Sequence, residues 1–473
     1  MRRPVIAALG LVLSAEGGSA QSLPDRIAGV RNGTVRMSYA ARTAVCGDGR
    51  FIGFDLPDAF WMYRSWNDGY SVNMLEDVRP NCRTGPMRLV IEKAGGAVVE
   101  LRAAVGVAWR PSETAVDLGE VSAAAAADWL VGAAESGRDR VGRVALLAAA
   151  AADSARVTDR VIALARNRSL PADARERALR WLTVVALAEG RGADADRTLR
   201  AIADDESDTR AVRDRAIRDL RRTPDNVAHL RSLFARVGDV TLRERILREV
   251  GAAKGAGDAA WVRGVALDAR ESLAVRERAI RVLGEELDRP DEVRTLYPRL
   301  DQTALRERVL RVVAERGGAD AVAWLRNVVE DGAEDVALRD RAIRLLAERR
   351  QGAYLRGAYG RVDRTALKER IVRSIAESGE ADAARWLADL VQREEEPDAM
   401  RDRAVRSLAE RGAPSSELAG LYDRVASTAV KQRLIRILAD RRDDAAREKL
   451  ASIAEGDADP GLRRSAERAG VRR

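Results

Sequence analysis

Residues 337–348 read Ala-Leu-Arg-Asp-Arg-Ala-Ile-Arg-Leu-Leu-Ala-Glu, and this stretch decides the fold. Leu338, Ala342, Leu345 and Leu346 fall at relative positions 0, 4, 7 and 8, which form one apolar stripe on a helix of 3.6 residues per turn. The small side chain of Ala342 lets a neighbouring helix approach closely. The stretch therefore predicts an amphipathic helix that packs against other helices.

A second amphipathic helix is predicted just before it. Residues 320–329 place Leu325, Val328 and Val329 on one side of a helix, and residues 330–335 combine helix-stop and helix-start signals. Neither helix can bury its apolar stripe alone. Such helix pairs must therefore stack on one another to form a core.

The pattern apolar-Arg-acidic-Arg-Ala-apolar-Arg recurs along the chain, and we call its first apolar residue the anchor. The clear anchors are Val212, Leu242, Val275, Leu305, Leu338, Leu367, Met400 and Val430. Successive anchors lie about 30 and about 33 residues apart in alternation, and degenerate copies at Val141, Ala174 and Leu462 bring the count to eleven units. A period of this length predicts a solenoid.

Aromatic residues recur at twice that period. Trp261, Trp324 and Trp386 lie 63 and 62 residues apart. A second series at steps of 63, 62 and 63 consists of Phe234, Tyr297, Tyr359 and Tyr422. This super-repeat indicates tandem duplication of a block of two units.

The pattern Asp-x-apolar-Arg-x-x-Ala-x-x-x-Leu, after a helix and an acidic turn, resembles the HEAT repeat family. It is most similar to the short bacterial variety related to the HEAT-like repeats of phycobilisome lyases. The resemblance covers about residues 122–473. It implies a mainly α fold, a HEAT-like α-solenoid of stacked helix pairs, and a scaffold or adaptor role more often than an enzymatic one.

Two departures limit what the resemblance implies. The glycine that the family often places after the second helix is here often replaced by Glu-Arg or Glu-Ser. The repeats contain no cysteine, and their only histidine is His229, which is not followed by glutamate. The pigment chemistry of the lyases and the iron site of the oxidoreductase branch, which uses His-Glu dipeptides, are therefore not expected.

Residues 21–115 differ in composition and predict a small β domain. Nine of the 19 aromatic residues lie between positions 21 and 110. Period-2 alternation predicts strands at residues 34–39, 70–75, 87–91 and 97–101, the last two joined through Gly95-Gly96 as a hairpin. Residues 46–49 are interpreted as a turn, and a boundary is placed near residues 111–121.

Residues 1–20 have the pattern of a cleaved secretory signal. Arg2 and Arg3 precede a short apolar run at residues 5–13, and small residues, including Gly18 and Ala20, end the segment. An ordinary N-terminal helix and an uncleaved anchor are the alternatives. We expect a periplasmic or secreted protein.

An oxidising compartment and an even cysteine count favour a disulfide between Cys46 and Cys82 within the β domain. Two reduced buried thiols are the alternative. Two cysteines so far apart, without histidines, are not a zinc site.

Arginines recur at two fixed positions, the third and the sixth after each anchor. Third-place arginines are Arg215, Arg245, Arg278, Arg308, Arg341, Arg370, Arg403 and Arg433. Sixth-place arginines are Arg218, Arg248, Arg281, Arg311, Arg344, Arg373, Arg406 and Arg436. Stacking aligns them into two rows on the second helices, which makes Arg278 to Arg406 a candidate docking surface for acidic protein, anionic glycan or phosphate.

Acidic residues recur as well, so an inter-repeat salt-bridge lattice is the competing interpretation. Acids four residues after the sixth-place arginines predict i,i+4 pairs, and these acids are Glu285, Glu315, Glu348, Glu377, Glu410 and Asp440. Acids beside the third-place arginines are Glu244, Glu277, Glu307, Asp340, Glu369 and Asp402. Both interpretations hold together if only some arginines are free.

The remaining candidates for chemistry are weak. His229, beside Leu230 and Leu233, is interpreted as a packing residue. The aromatic-dense residues 60–70 suit either the core of a small domain or a surface for a glycan or peptide. No spacing selects an acid–base pair among the β-domain carboxylates Asp48, Asp55, Asp58, Asp68 and Asp77.

We therefore expect a non-enzymatic exported scaffold or adaptor that binds another protein through the solenoid surface, without catalytic residue, metal or cofactor. Binding of an anionic polymer, glycan or nucleic acid, through the arginine rows is the first alternative. An enzyme with its site in the β domain is the second. The balance of 82 basic and 74 acidic residues, net +8, is weak support for nucleic acid.

Overall fold

The computed structural model describes residues 21–49, 51–56, 59–64, 82–109, 112, 114–136, 139–220, 223–255 and 257–471. They fall into two compact units, the first ending at Val237 and the second beginning at Gly238. The predicted β-domain boundary near residues 111–121 lies inside the first unit. The predicted signal at residues 1–20 and the predicted strand at residues 70–75 lie outside the described residues.

The first unit opens with helix α1 (Leu23–Ala28) and seven strands that form two sheets. The strands are β1 (Gly33–Tyr39), β2 (Val45–Gly47), β3 (Phe51–Leu56), β4 (Ala59–Arg64), β5 (Met87–Ala94), β6 (Ala97–Ala104) and β7 (Val116–Glu120). One sheet has the order β6-β5-β1-β7, with β1 antiparallel to β5 and parallel to β7. The other has the order β2-β3-β4 and is antiparallel.

Alternating burial confirms the period-2 prediction in the larger sheet. Val35, Met37 and Tyr39 of β1 are fully buried, while the residues between them are partly exposed. The predicted hairpin is β5 and β6, joined by Gly95 at φ 61° and Gly96 at φ 88°. Two successive positive φ angles are what a tight primed turn requires, and glycine adopts them without strain.

The predicted turn at residues 46–49 is partly wrong. Cys46 and Gly47 lie in strand β2, and the turn begins only after them. The cause is long-range: the predicted Cys46–Cys82 disulfide is present, with a Cα–Cα distance of 5.2 Å. It brings Gly47 beside Arg83, and their backbones exchange two hydrogen bonds of 2.9 Å.

Helices make up the rest of both units. The first unit continues with α2 (Ala123–Ser136), α3 (Asp139–Ala151), α4 (Thr158–Arg166), α5 (Ala172–Ala188), α6 (Gly192–Asp204), α7 (Arg210–Asp219) and α8 (Pro224–Arg236). The second unit contains α9 (Val240–Ala253), α10 (Asp258–Leu267), α11 (Leu273–Glu285), α12 (Pro290–Leu296), α13 (Thr303–Arg316), α14 (Ala319–Glu330), α15 (Val336–Glu348), α16 (Gly352–Ala358), α17 (Thr365–Glu377), α18 (Asp382–Gln392), α19 (Asp398–Glu410), α20 (Ser415–Arg424), α21 (Thr428–Ala439), α22 (Asp444–Gly456) and α23 (Pro460–Val471). A 3₁₀ turn at Tyr297–Arg299 extends α12.

The helices form the predicted stack of pairs. Each of the eleven anchors lies in an odd-numbered helix from α3 to α23, the second helix of its pair, and the clear anchors are buried. In the second unit, each of these second helices packs against the next, from α9 through to α23, while the first helices pack against their own partners. Each unit therefore contains a helical repeat array of the solenoid type, and the first unit also carries a small disulfide-linked β region.

Within the first unit, the β region packs directly on the first repeats. Strand β6 lies against α3. The buried hydroxyl of Tyr39 donates a hydrogen bond of 2.8 Å to the carbonyl of Ala148. The guanidinium of Arg42 donates to the carbonyls of Ala150 at 3.0 Å and Ala155 at 2.6 Å. The bonds to Ala148 and Ala150 reach carbonyls in the last turn of α3, where helix carbonyls lack partners within the helix, and the bond to Ala155 reaches the chain just beyond it.

Candidate functional site

The arginine directly after the anchor binds the end of the preceding helix in alternate units of the second unit and is therefore not available to a ligand there. Arg276, whose side chain is 2% exposed, donates from Nε to the carbonyl of Ala266 at 3.0 Å, the end of the preceding helix. Arg339 and Arg401 make the same bond in later units, at 3.0 and 2.8 Å. The bond satisfies an unpaired helix-end carbonyl, which explains why the pattern places arginine there.

The intervening units use the same position differently. Arg306 lies over the ring of Tyr297 at 4.4 Å, and Lys368 lies over Tyr359 at 5.0 Å. Lys431 lies over Tyr422 at 4.9 Å. Two kinds of unit therefore alternate, one with a buried arginine and one with a cation over a tyrosine ring, and this alternation is the physical basis of the super-repeat.

Arginines also occupy the position of the missing glycine after the second helix. Arg349 donates to the carbonyls of Ala314 and Gly317, at the end of the preceding second helix, α13. Arg411 does the same at the end of α17, through the carbonyl of Ala376. The departure from the family pattern thus supplies a helix-end cap from the next repeat.

Half of the eight third-place arginines form the predicted lattice between repeats. Four of them pair with the acid of the preceding repeat, as Arg278 with Glu244 at 3.1 Å, Arg308 with Glu277 at 3.2 Å, Arg370 with Asp340, and Arg433 with Asp402. Each pair joins neighbouring second helices. The salt-bridge lattice therefore exists, but it does not include every third-place arginine.

The predicted i,i+4 pairs of the sixth-place arginines are wrong. Arg344 and Arg406 pair instead with Asp340 and Asp402, four residues earlier, at 2.8 and 2.9 Å. In the described chain, no sixth-place arginine forms an ion pair with the acid four residues after it. Those acids are exposed, and they are Glu285, Glu315, Glu348, Glu377, Glu410 and Asp440.

Five of the ten candidate arginines make neither an ion pair nor a hydrogen bond with any described residue. They are Arg281, Arg311, Arg341, Arg373 and Arg403. All ten are partly buried, and the Nε atom of each of these five is buried without a hydrogen-bond partner. Packing therefore holds these guanidinium groups in place while leaving their hydrogen-bonding capacity unused.

Like charges face one another in this set. Burial, with the neighbouring Arg278 and Arg308, holds the pKa of Arg281 below its ordinary value. Burial, together with Arg311 and Arg344, lowers the pKa of Arg341. Arginine keeps its proton at any physiological pH, so the lowered pKa describes a cation in an unfavourable electrostatic environment. The negative charge of an approaching anion would offset this unfavourable environment.

The other candidate residues from the sequence give less support for a functional site. His229 in α8 lies 3.3 Å from Asp204, and burial lowers its pKa. Asp48 accepts a hydrogen bond from the Phe51 amide and so closes a turn. The backbone of Asp55 lies in β3, whereas Asp58, Asp68 and Asp77 lie outside the described residues.

Of the aromatic segment at residues 60–70, the first five residues lie in strand β4, and the others lie outside the described ranges. No cluster of metal-ligating side chains occurs among the residues that the structure describes. Nor is any helix in the described part of the chain long and apolar enough to cross a membrane.

Comparisons with known proteins identify no family for this chain. The sequence matches no protein-family profile, and no curated protein resembles it. Among solved structures, human deoxyhypusine hydroxylase in complex with glycerol is similar to this chain at 17% identity and a TM-score of 0.23. The match covers 58% of this chain and 94% of the hydroxylase chain. A second similar structure is the UNC-45 chaperone, described as binding and folding muscle myosin, at 16% identity and a TM-score of 0.20. The match covers 75% of this chain and 46% of the chaperone chain.

Proposed function

We propose that this protein is an exported scaffold or adaptor that binds another protein through the second helices of its second unit. The single observation that carries the proposal is the set of five packed arginines without partners, Arg281, Arg311, Arg341, Arg373 and Arg403. Side chains whose conformation is restricted before binding lose less entropy when a partner arrives. Guanidinium groups held on helices also suit two-point recognition of carboxylates.

A protein partner suits this surface better than a uniform anionic polymer. The exposed acids Glu315, Glu348 and Glu377 lie about one helical turn beyond the arginines Arg311, Arg344 and Arg373. A glycan or nucleic acid that followed the arginines would meet this acidic row and be repelled. A polypeptide can present both signs of charge, so electrostatic complementarity favours it.

The proposal includes no catalytic step at this surface. Arginine stays protonated at any pH at which the protein is folded, so it binds and orients anions but does not exchange protons with a substrate. Export is part of the proposal, and the oxidised Cys46–Cys82 pair supports it, because such disulfides persist in oxidising compartments.

We also infer that the repeats are of the HEAT type. The buried Arg276, Arg339 and Arg401 give the arginine of the repeat pattern one physical role in successive blocks. That role is to tie the two helices of a pair together. It supports a common origin for the units.

Capture from the native envelope fraction tests the proposed function. The chain from residue 21 onward is immobilised, exposed to the fraction, crosslinked and analysed by mass spectrometry. We expect retention of a specific protein that moderate salt releases, because salt screens exposed ion pairs. Retention of no protein would reject the proposal, and turnover of small substrates would then favour the enzyme alternative. Preferential capture of glycan or nucleic acid would favour the polymer alternative.

A further inference from the structure

We propose that two open arginine pairs, Arg311 with Arg341 and Arg373 with Arg403, are separate carboxylate-binding stations on this surface. They engage one acidic protein segment at two points one super-repeat apart. This inference rests on the proposed function and names the partner's chemistry at the same site.

The acid at the second place after the anchor determines which sixth-place arginines are occupied, because Asp340 and Asp402 each pair with the sixth-place arginine of their own helix and the glutamates at this place do not. From the unit of Leu305 onward, glutamate and aspartate alternate at this place, as Glu307, Asp340, Glu369 and Asp402. Asp340 accepts from Arg344 of its own helix and from Arg370 of the next. Asp402 does the same with Arg406 and Arg433. Each aspartate therefore faces two arginines.

The intervening units carry a longer acid at this place. Glu307 and Glu369 form no ion pair within the described chain, so Arg341 and Arg403, one repeat further on, receive no carboxylate. From Arg308 to Arg433, occupied and open third-place positions therefore alternate, whereas Arg278 and Arg308 are both occupied.

The first station holds two cations that act on each other. Arg311 and Arg344 disfavour the charged form of Arg341, whereas Glu307 and Glu348 act in the opposite direction without approaching to ion-pair distance. A carboxylate that bridged Arg311 and Arg341 would replace this repulsion with attraction. Hydrogen bonds to charged groups are stronger than neutral ones, which makes the station selective for anions.

The second station repeats the first at the same positions. Arg373 and Arg403 each follow their counterparts by 62 residues, and their Nε atoms are likewise buried without partners. Helices α13, α15, α17 and α19 carry the four arginines, and successive second helices pack on one another. A segment bound at one station therefore meets the second at a raised effective concentration.

The alternation favours an acidic polypeptide over a continuous polyanion. Between the stations, Asp340 already binds both Arg344 and Arg370. A chain with regularly spaced phosphates or sulfates would place charge over this occupied position, near Asp340 itself. A polypeptide can place acidic clusters at the stations and uncharged residues between them.

Two double variants with matched positions test the inference. Arg311→Gln with Arg373→Gln removes one arginine from each station. Arg344→Gln with Arg406→Gln is the control, because these arginines are also sixth-place and partly buried but already bind Asp340 and Asp402. Asp340 and Asp402 keep Arg370 and Arg433 in the control. Circular dichroism melting confirms that both variants fold.

The probe is a fluorescein-labelled peptide with two glutamate clusters joined by an uncharged glycine-serine linker, with oligoglutamate, heparin and single-stranded DNA in parallel, and binding is followed by fluorescence anisotropy and by competition. We expect the station variant to bind the peptide at least about tenfold more weakly, since it loses hydrogen bonds to charged groups. We expect the control to stay within about twofold of the wild type.

Several results would overturn the inference. These are equal weakening in both variants, no binding of the two-cluster peptide to the wild type, or tighter binding of heparin or DNA that depends on the same arginines. Envelope capture separates this failure from failure of the proposed function. If a captured protein is retained by the station variant as well as by the wild type, the stations are wrong and the scaffold role stands. If the wild type captures no protein, the proposed function itself fails.

Discussion

The ring of Tyr297 stands perpendicular to the ring of Trp324, with centroids 5.2 Å apart. Tyr359 and Trp386 repeat the arrangement one block later, at 5.5 Å and 80°. Each tyrosine belongs to one helix pair and each tryptophan to the next. The edge-to-face contact therefore joins two units into one structural block, which is why the aromatic residues recur at the double period.

The Tyr297 hydroxyl adds a polar bond to this junction. It lies 2.9 Å from Glu334, and the pKa of Tyr297 is raised by burial and by this carboxylate. We expect Tyr297→Phe to lower the free energy of unfolding by about 1 kcal/mol, and Tyr297→Ala to cost about 3–5 kcal/mol because the ring is lost as well. Urea denaturation measures both. A phenylalanine variant as stable as the wild type would show that the hydroxyl contributes nothing.

The ion pair between Arg175 and Asp208 is buried on both sides, with side chains 5% and 3% exposed. Burial alone would raise the pKa of Asp208, but Arg175 and a backbone amide lower it overall. We expect Asp208→Asn to destabilise the first unit by about 3–5 kcal/mol, because the buried cation loses its partner at a place where the carboxylate is buried as well and water cannot replace it.

Asp363, paired with Arg339, is the matched control because its side chain is 53% exposed. Water can replace its carboxylate, so Asp363→Asn should cost at most about 1 kcal/mol. Chemical denaturation followed by circular dichroism compares the two. Similar costs would contradict the role given to burial.

The Cys46–Cys82 disulfide spans 36 residues. Its reduction should destabilise the β region by about 4 kcal/mol, since a loop of that length gains conformational entropy in the unfolded chain. Thermal melting with and without dithiothreitol measures the change, and a Cys46→Ser, Cys82→Ser variant serves as the control that reductant does not affect. A wild type indifferent to reductant would contradict the expectation.

His229 predicts a pH dependence of the first unit. Its pKa is lowered in the folded state by burial and by Arg200 and Arg236, although Asp204 opposes the shift. In the unfolded chain the imidazole of His229 has its ordinary pKa of about 6.5, so the unfolded chain binds more protons than the folded chain just below that pH. Stability should therefore fall as the pH drops from about 7 to about 5. His229→Gln should flatten this slope in unfolding experiments; an unchanged slope would assign it to other groups.

The sequence predicts local structure and repetition well. The stripes of α14 and α15, the glycine hairpin between β5 and β6, and the cysteine pairing are all confirmed. Each depends on periodicity or on a residue with one common structural use. The strand at Cys46 and Gly47 was missed because it depends on Arg83, which the disulfide brings near.

Partners of the arginines are harder to predict. Arg344 has an acid four residues away on either side, Asp340 and Glu348, and sequence spacing treats them alike. The structure selects Asp340, which also meets Arg370 from the next repeat. That choice depends on stacking geometry. Aspartate at the second place was the visible signal for it, because the sixth-place arginine of the same helix pairs with Asp214, Asp340 and Asp402.

Tyr39 and Arg42 occupy carbonyls at the end of α3 much as Arg349 occupies those at the end of α13. The β region therefore fills the place that one more repeat would take, and so ends the series at that terminus. A chain built from near-identical modules risks unlimited head-to-tail growth whenever an unfinished end meets the complementary end of another molecule. Here that end of the repeat series is covered by the β region, which has a different architecture. Repeats can therefore be added to the series without exposing an end that nucleates a fibre.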